Sequence, residues 1–181
     1  LMIDDYPGHP GNKGAPLFTA ADFDALVTRA DKHGFQISTH AIGDGAIRRT
    51  LDGYAAAQKA NGRRDSRHRI EHIELIDPAD IPRLKELGVI ASLQPVSAPT
   101  VPGNPLEPIL TRVGDKLPYA YAWQLLREAG AVVAFSSDWP VAPLSPFYGI
   151  AAAVTRQTLD GRNPGGWHPE EKISIAEAVA A

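Results

Sequence analysis

Hydrophobic and polar positions along the chain follow two periods, one typical of helices and one typical of strands. Apolar residues recur every three or four positions from Ala20 to His33, a segment that Thr19 can cap and Gly34 can end. The next segment, Phe35 to His40, alternates in the manner of a strand and runs into a Gly-Asp-Gly turn. The pattern therefore predicts a helix, a strand and then a second helix from Ala46 to Ala60.

The same order of strand and helix recurs along the rest of the chain. Three further strands are predicted at Arg67 to Glu74, Val89 to Gln94 and Ala131 to Ser137. Further helices are predicted at Pro78 to Leu87, Tyr119 to Ala129, Pro146 to Leu159 and, for about two turns, after Ser174. Strands that alternate with helices form parallel sheets through right-handed connections, so the sequence predicts an α/β fold with four parallel strands.

The segment from Pro95 to Pro118 interrupts this order. It contains six prolines, which lack the backbone N–H that regular structure uses, and we therefore expect a long ordered loop. Loops of this kind often carry functional residues.

Composition and charge narrow the classes of function. The 181 residues carry a formal net charge of -3 and no basic stripe, so we expect neither nucleic acid nor a membrane as partner. The chain contains no cysteine, which excludes disulfides and thiolate metal sites and fits a cytoplasmic location. Any metal ion must therefore be bound by His, Asp, Glu or a modified Lys.

Three side chains that can bind metal fall where predicted strands end. His40 closes the first strand, His72 lies near the end of the second, and Asp138 follows the fourth. Because parallel barrels place the carboxyl ends of their strands at one rim, we expect these side chains to converge. Two imidazoles and one carboxylate form a ligand set suited to zinc or another divalent first-row metal.

Strand alternation predicts part of the orientation. On the fourth strand, Val132 and Ala134 share one face with Asp138, and the bulkier residues of the other face should meet the helices. On the second strand the pattern leaves open whether the face of His72 or the face of Glu71 points inward.

Three motifs carry a resemblance to a known family. They are, in order, Thr39-His-Ala-Ile-Gly-Asp-Gly-Ala46, Arg69-Ile-Glu-His72 and Phe135-Ser-Ser-Asp-Trp-Pro-Val141. Together they resemble the amidohydrolase superfamily and, within it, the family-3 branch that includes N-substituted formamide deformylase-like proteins. The resemblance implies the C-terminal half of a TIM-type (β/α)8 barrel, with residues 1–181 forming a single partial domain that holds the fifth to eighth strands.

The resemblance also implies roles for the three candidate residues. His40 and His72 match the histidines that bind the more buried metal, and Asp138 matches the aspartate that contacts metal and exchanges a proton with the attacking water. The implied activity is hydrolysis of a C–N bond in a small-molecule substrate, an amide or N-substituted formamide, with one or two divalent ions, zinc foremost. The family's His-x-His pair and bridging lysine are expected upstream of Leu1, so we expect this chain alone to be inactive.

Other residues have simpler interpretations. We expect Asp44 to cap a helix rather than to contact substrate. Trp139 either lines the pocket or anchors a turn as a buried residue. Four further histidines are expected to be ordinary surface or loop residues: His9, His33, His68 and His168.

The alternative to an enzyme is a half-barrel that serves as a structural or assembly module without chemistry. In either case, a half-barrel exposes two unpaired strand edges, and we expect it to form a homo-oligomer.

Overall fold

The computed structural model describes residues 1–98, 106–158, 160–161 and 163–181. Four strands form one parallel sheet whose spatial order follows the chain. They are β1 Ser38–Ala41, β2 Arg69–His72, β3 Ile90–Leu93 and β4 Val132–Phe135. The predicted α/β fold with four parallel strands is confirmed. Each strand is shorter than predicted, because the alternating pattern extends beyond the residues that pair with a neighbouring strand.

Helices connect the strands and flank the sheet. They are α1 Ala20–Lys32, α2 Asp44–Asn61, α3 Ile81–Leu87, α4 Leu106–Val113, α5 Trp123–Glu128, α6 Pro146–Thr155 and α7 Ile175–Ala180. The Thr19 side chain caps α1 by accepting the N–H of Asp22 at 3.2 Å, as predicted. Within the described ranges, none of these helices combines the length and the apolar content that crossing a bilayer requires.

The prediction of an irregular loop between Pro95 and Pro118 is wrong for the part of this segment that the structure describes. A 3₁₀ turn covers Pro95–Ser97, and α4 is followed by a second 3₁₀ turn at Gly114–Tyr119. Pro95 is tolerated because it falls at the start of its 3₁₀ turn, where the missing N–H removes no helical hydrogen bond, whereas Pro118 lies inside the second 3₁₀ turn. Residues 99–105 lie outside the described residues.

Sheet register decides which face each strand residue takes. His40 pairs with Glu71, and Glu71 pairs with Ser92, so these three side chains share one face. We call this the open face. The opposite face packs against the core, where Ile70 and Ala91 have no exposed surface. The structure therefore shows that Glu71, and not Ile70, points to the inside of the half-barrel.

The fourth strand follows the predicted alternation. Val132 lies on the open face and is 64% exposed, whereas Val133 and Phe135 pack against the core. Phe135 meets the ring of Trp123 in α5 edge to face, with ring centroids 6.3 Å apart. The bulkier face of β4 therefore meets a helix, as the sequence predicts.

Asp44 does not have its predicted role. Gly43 occupies the N-cap position of α2, and Asp44 is the first helical residue, with no exposed surface. Its carboxylate accepts the N–H of Ile3 at 2.9 Å and pairs with the ammonium of Lys116 at 2.5 Å. Asp44 therefore ties two distant segments to the start of α2.

Candidate metal centre

The structure brings His40 and His72 together at the carboxyl ends of β1 and β2. Their ring centroids are 4.3 Å apart and the rings meet edge to face, at an interplanar angle of 65°. Strand alternation alone would turn His72 away from the open face, since it directly follows Glu71. The chain leaves the extended conformation here, with φ of 78° at His72 and 50° at Ile73, and the ring meets His40. Left-handed φ values at non-glycine residues are uncommon and cluster at functional sites.

The surroundings of His72 favour its neutral form. Burial lowers its pKa, and the neighbouring His40 acts in the same direction, while the charges of Asp138 and Glu71 oppose them. Its Nδ1 is buried and has no hydrogen-bond partner among the described residues. Such a nitrogen costs about 1–3 kcal/mol unless something accepts or supplies its bond. His72 therefore has a ring nitrogen that the fold itself does not use.

Asp138 lies at the same rim but farther away. It follows β4 with φ of 59°, and its negative charge raises the pKa of His72 and of Glu74. Because β3 lies between β2 and β4, two strand spacings of about 4.8 Å separate the strands of His72 and Asp138. Asp138 is therefore within electrostatic reach of the histidine pair without joining it in a compact cluster.

The donor set fits a divalent metal in part. His40 and His72 supply two adjacent nitrogen donors of the kind that zinc prefers. Across the described ranges, however, no group of three or more His, Cys, Asp or Glu side chains is arranged to hold a metal ion. The chain therefore supplies a histidine pair, and a complete site requires at least one further ligand.

Glu74 is a residue of this rim that the sequence analysis missed. Burial raises its pKa and the charge of Asp138 adds to this effect, whereas the nearby Tyr121 hydroxyl and the charge of His40 oppose it. The signal in the sequence was its position two residues after His72, where a polar side chain reaches the same rim.

A row of polar side chains crosses the open face below the two histidines. Glu71 accepts hydrogen bonds from Ser38 Oγ at 2.6 Å and from Gln94 Nε2 at 3.2 Å. Gln94 also donates to Ser136 Oγ at 2.9 Å, which continues the row past β4. Burial alone would raise the pKa of Glu71, but these bonds and the charge of Arg69 outweigh it and hold the pKa low. The row therefore carries a carboxylate beside the histidine pair.

His68 is not the surface residue that the sequence predicted. It is 2% exposed, its Nδ1 accepts the N–H of Ile37 at 3.1 Å, and its Nε2 lies 3.1 Å from Asp31 Oδ1. Because Nδ1 is the acceptor, the proton of the neutral ring sits on Nε2 and is donated to Asp31. His68 therefore has a structural role at the amino end of β2.

The structure also shows where the remaining histidines and Trp139 lie. His9 and His33 are exposed, as predicted. His168 lies in the loop before Pro169, as predicted, and packs against Trp167 with ring centroids 5.8 Å apart, so that its side chain is only 9% exposed. Trp139 is 65% exposed, which excludes the buried anchor.

The comparisons with known proteins indicate the same family. Residues 2–181 match the sequence model of the amidohydrolase family. The chain is 33% identical to Protein LONG AFTER FAR-RED 3 of Arabidopsis thaliana, over 100% of this chain and 30% of that protein. It is 26% identical to the N-substituted formamide deformylase of Arthrobacter pascens, over 94% of this chain and 31% of that protein.

A solved structure supports the same assignment. An uncharacterized metal-dependent hydrolase from Pyrococcus furiosus matches with a TM-score of 0.78 and 29% identity, over 99% of this chain and 34% of that chain. The chain thus spans about a third of the length of the relatives it matches. The resemblance carried by the three sequence motifs is confirmed, and the chain belongs to the amidohydrolase family.

Proposed function

We propose that this chain carries part of the active site of a metal-dependent hydrolase that cleaves a C–N bond. The observation that carries the proposal is the contact between His40 and His72 at the rim, together with the buried, unpartnered Nδ1 of His72 among the described residues. Family membership supports the same class of reaction. The substrate is a small molecule, an amide or an N-substituted formamide, as the printed name of the Arthrobacter pascens relative suggests.

The roles follow from the chemistry of each side chain. His40 and His72 would hold a divalent ion, zinc foremost, through imidazole nitrogens, and Asp138 would supply a carboxylate from the same rim. When bound, such an ion makes water nucleophilic near neutral pH and polarises a carbonyl. The Asp138 carboxylate takes the proton of the attacking water and passes it to the leaving nitrogen.

The remaining ligands belong to the other half of a (β/α)8 barrel. This step of the proposal is supported by the relatives, which are about three times as long as the chain, and by the histidine pair, which needs further ligands. Residues 1–181 then act as one partial domain that holds strands five to eight. The isolated chain is expected to hydrolyse no substrate, and a cytoplasmic location stays a prediction.

Metal content tests the proposal. We would measure zinc and other first-row metals by elemental analysis in the full barrel protein and in its His40→Ala and His72→Ala variants. Each variant is expected to bind metal on the order of tenfold or more weakly, because a ligand is lost. His33→Ala, an exposed histidine of α1's end, is the matched control and should keep the metal. Unchanged metal in both rim variants contradicts the assignment.

The alternative, a half-barrel module without chemistry, is favoured by one observation. In the described sheet, β1 and β4 each have a single neighbouring strand, which leaves two edges that can pair with another chain. This alternative predicts no hydrolysis by any form of the protein, so an assay on the full barrel protein separates the two.

A further inference from the structure

A small cavity lies between the carboxyl ends of β2 and β3 and the start of α5. Its volume is about 10 Å³, which is room for one water molecule. His72 lines it from the end of β2, Gln94 from the residue after β3, and Trp123 from the first residue of α5. Gln94 and Trp123 are buried, with 5% and 2% of their surface exposed. The cavity therefore lies inside the protein, directly against one of the two rim histidines.

Three polar atoms of the residues in this lining have unused hydrogen-bonding capacity. They are His72 Nδ1, Gln94 Oε1 and Trp123 Nε1, each of which is buried and has no hydrogen-bond partner among the described residues. Unpaired buried polar groups are costly, and proteins satisfy most of them with protein atoms or with ordered water. Three such atoms around a cavity of this size therefore indicate a binding site for a single small polar molecule.

The polar row on the open face sets the orientation of the Gln94 amide. Its nitrogen Nε2 donates to Glu71 Oε2 at 3.2 Å and to Ser136 Oγ at 2.9 Å. Because a carboxylate accepts hydrogen bonds, the amide nitrogen and not the amide oxygen faces Glu71. Gln94 Oε1 is therefore left as an acceptor whose position is fixed by the row.

The Trp123 indole is also held by its neighbours. The Arg156 guanidinium lies over the ring, 4.2 Å from its centroid, and Phe135 meets the ring edge to face. An indole N–H can only donate a hydrogen bond, and the amide oxygen of Gln94 can only accept one. These two atoms are not bonded to each other, so a molecule that both accepts and donates is needed to satisfy both. Water is the molecule of that chemistry that fits the cavity.

We propose that one water molecule binds in this cavity, accepts hydrogen bonds from Trp123 Nε1 and His72 Nδ1, and donates one to Gln94 Oε1. Gln94 and Trp123 are then positioning residues for His72. With the proton of the neutral ring on Nδ1, the lone pair is on Nε2, which is the nitrogen left for a metal ion. A second bond of this kind commonly fixes the tautomer and the orientation of a metal-binding histidine. This consequence for metal binding rests on the proposed function, whereas the water site does not.

A high-resolution crystal structure of the full barrel protein tests the water site. We expect one ordered water within about 3.2 Å of His72 Nδ1, Gln94 Oε1 and Trp123 Nε1. A cavity without an ordered water, or one filled by a side chain, would overturn the proposal.

The tautomer of His72 is a second test. Two-bond nitrogen–proton NMR spectra of the metal-free full barrel protein, at a pH where the ring is neutral, should place the wild-type proton on Nδ1. In Gln94→Leu the water loses its acceptor and turns a hydrogen toward His72 Nδ1, so the ring proton should move to Nε2. The matched control is Gln124→Leu, because the Gln124 amide oxygen is also buried without a described partner but lies outside this lining. A wild-type proton on Nε2, which needs no variant to detect, would contradict the proposal.

Zinc titration measures the consequence for the metal. Gln94→Leu should bind zinc about 10–100-fold more weakly than the wild-type protein, because Nε2 must first lose its proton, and Gln124→Leu should bind it as the wild type does. Equal affinities of Gln94→Leu and the control would overturn the positioning role. Failure of the proposed function looks different: the wild-type protein would then bind zinc no more tightly than His72→Ala, while the crystal structure and the NMR spectra would still decide the water site.

Discussion

β2 has a histidine at each end, and the two have opposite surroundings. His68, at the amino end, is buried and both of its ring nitrogens have partners in the fold. His72, at the carboxyl end, contacts another imidazole and has a buried Nδ1 without a partner in the described part of the chain. A fully bonded imidazole stabilises the fold, whereas an unbonded one is available to a ligand. The amino end of this sheet therefore serves stability, and the carboxyl end is where chemistry can be placed.

The partners of His68 extend this contrast. Asp31, in the last turn of α1, pairs with Arg64 at 2.8 Å and accepts a hydrogen bond from Asn61 at 2.8 Å. Burial alone would raise the pKa of Asp31, but the bonds from Asn61, Arg64 and His68 outweigh it and hold the pKa low. One carboxylate thus joins α1, the end of α2 and the start of β2.

The largest expected effect comes from breaking this buried cluster. Asp31→Ala leaves His68 and Arg64 without their acceptor, and we expect the free energy of unfolding to fall by about 3–5 kcal/mol. Urea denaturation measures this change. The control is Asp52→Ala, which breaks the exposed pair with Arg83 and should cost less than about 1 kcal/mol. Similar losses in the two variants would contradict the structural role of the amino end.

The opposite result is expected at the carboxyl end. His72→Gly should change the free energy of unfolding by less than about 1 kcal/mol, because glycine accepts the left-handed φ of this position without strain. The same variant should lose metal in the full barrel protein. A loss of stability as large as that of Asp31→Ala would show that His72 also serves the fold.

The pH dependence of stability sharpens the comparison further. Burial lowers the pKa of His68 in the folded state, although Asp31 opposes this effect. Above an unfolded pKa of about 6.5, neither state binds this proton; as the pH falls below that value, only the unfolded chain takes it up. The contribution of His68 is therefore full at pH 7.5 and declines, by at most about 1.4 kcal/mol per pH unit, until the pH reaches the folded pKa.

Two measurements check this dependence. Urea denaturation at pH 7.5 and 5.5 should show a smaller decline in His68→Gln than in the wild-type protein. NMR titration should give His68 a midpoint below the ordinary value for histidine, with the proton on Nε2 in the neutral ring. A midpoint above the ordinary value would reverse the sign of the prediction.

The smallest expected effect concerns the sheet edges. Val132 begins β4 and is a large apolar residue that is exposed on the open face. We predict that the chain associates into a homo-oligomer through its edges and that Val132→Lys weakens this association several-fold. Light scattering over a wide concentration range measures it. A monodisperse monomer of the wild-type chain at every concentration would contradict the prediction.

The sequence predicted the elements well where local signals agree with one another. α1 starts at Thr19 and α3 ends at Gly88, which adopts the left-handed conformation that glycine favours. It was wrong between Pro95 and Pro118, since a count of prolines does not show which of them fall in the first turn of a helix. It was also wrong for Asp44, because the side chain bonds to segments far away in the sequence.

By itself, the sequence determined the alternation of strands and helices, the caps and the family motifs, because periodicity and backbone preferences act over a few residues. Only the tertiary structure decided that His40 touches His72, that Asp138 stays two strands away and that His72 lines a cavity with Gln94. Only the tertiary structure also showed that the buried ring of His68 is hydrogen-bonded to Asp31. These outcomes depend on strand order and register, which set distances between residues that are far apart along the chain.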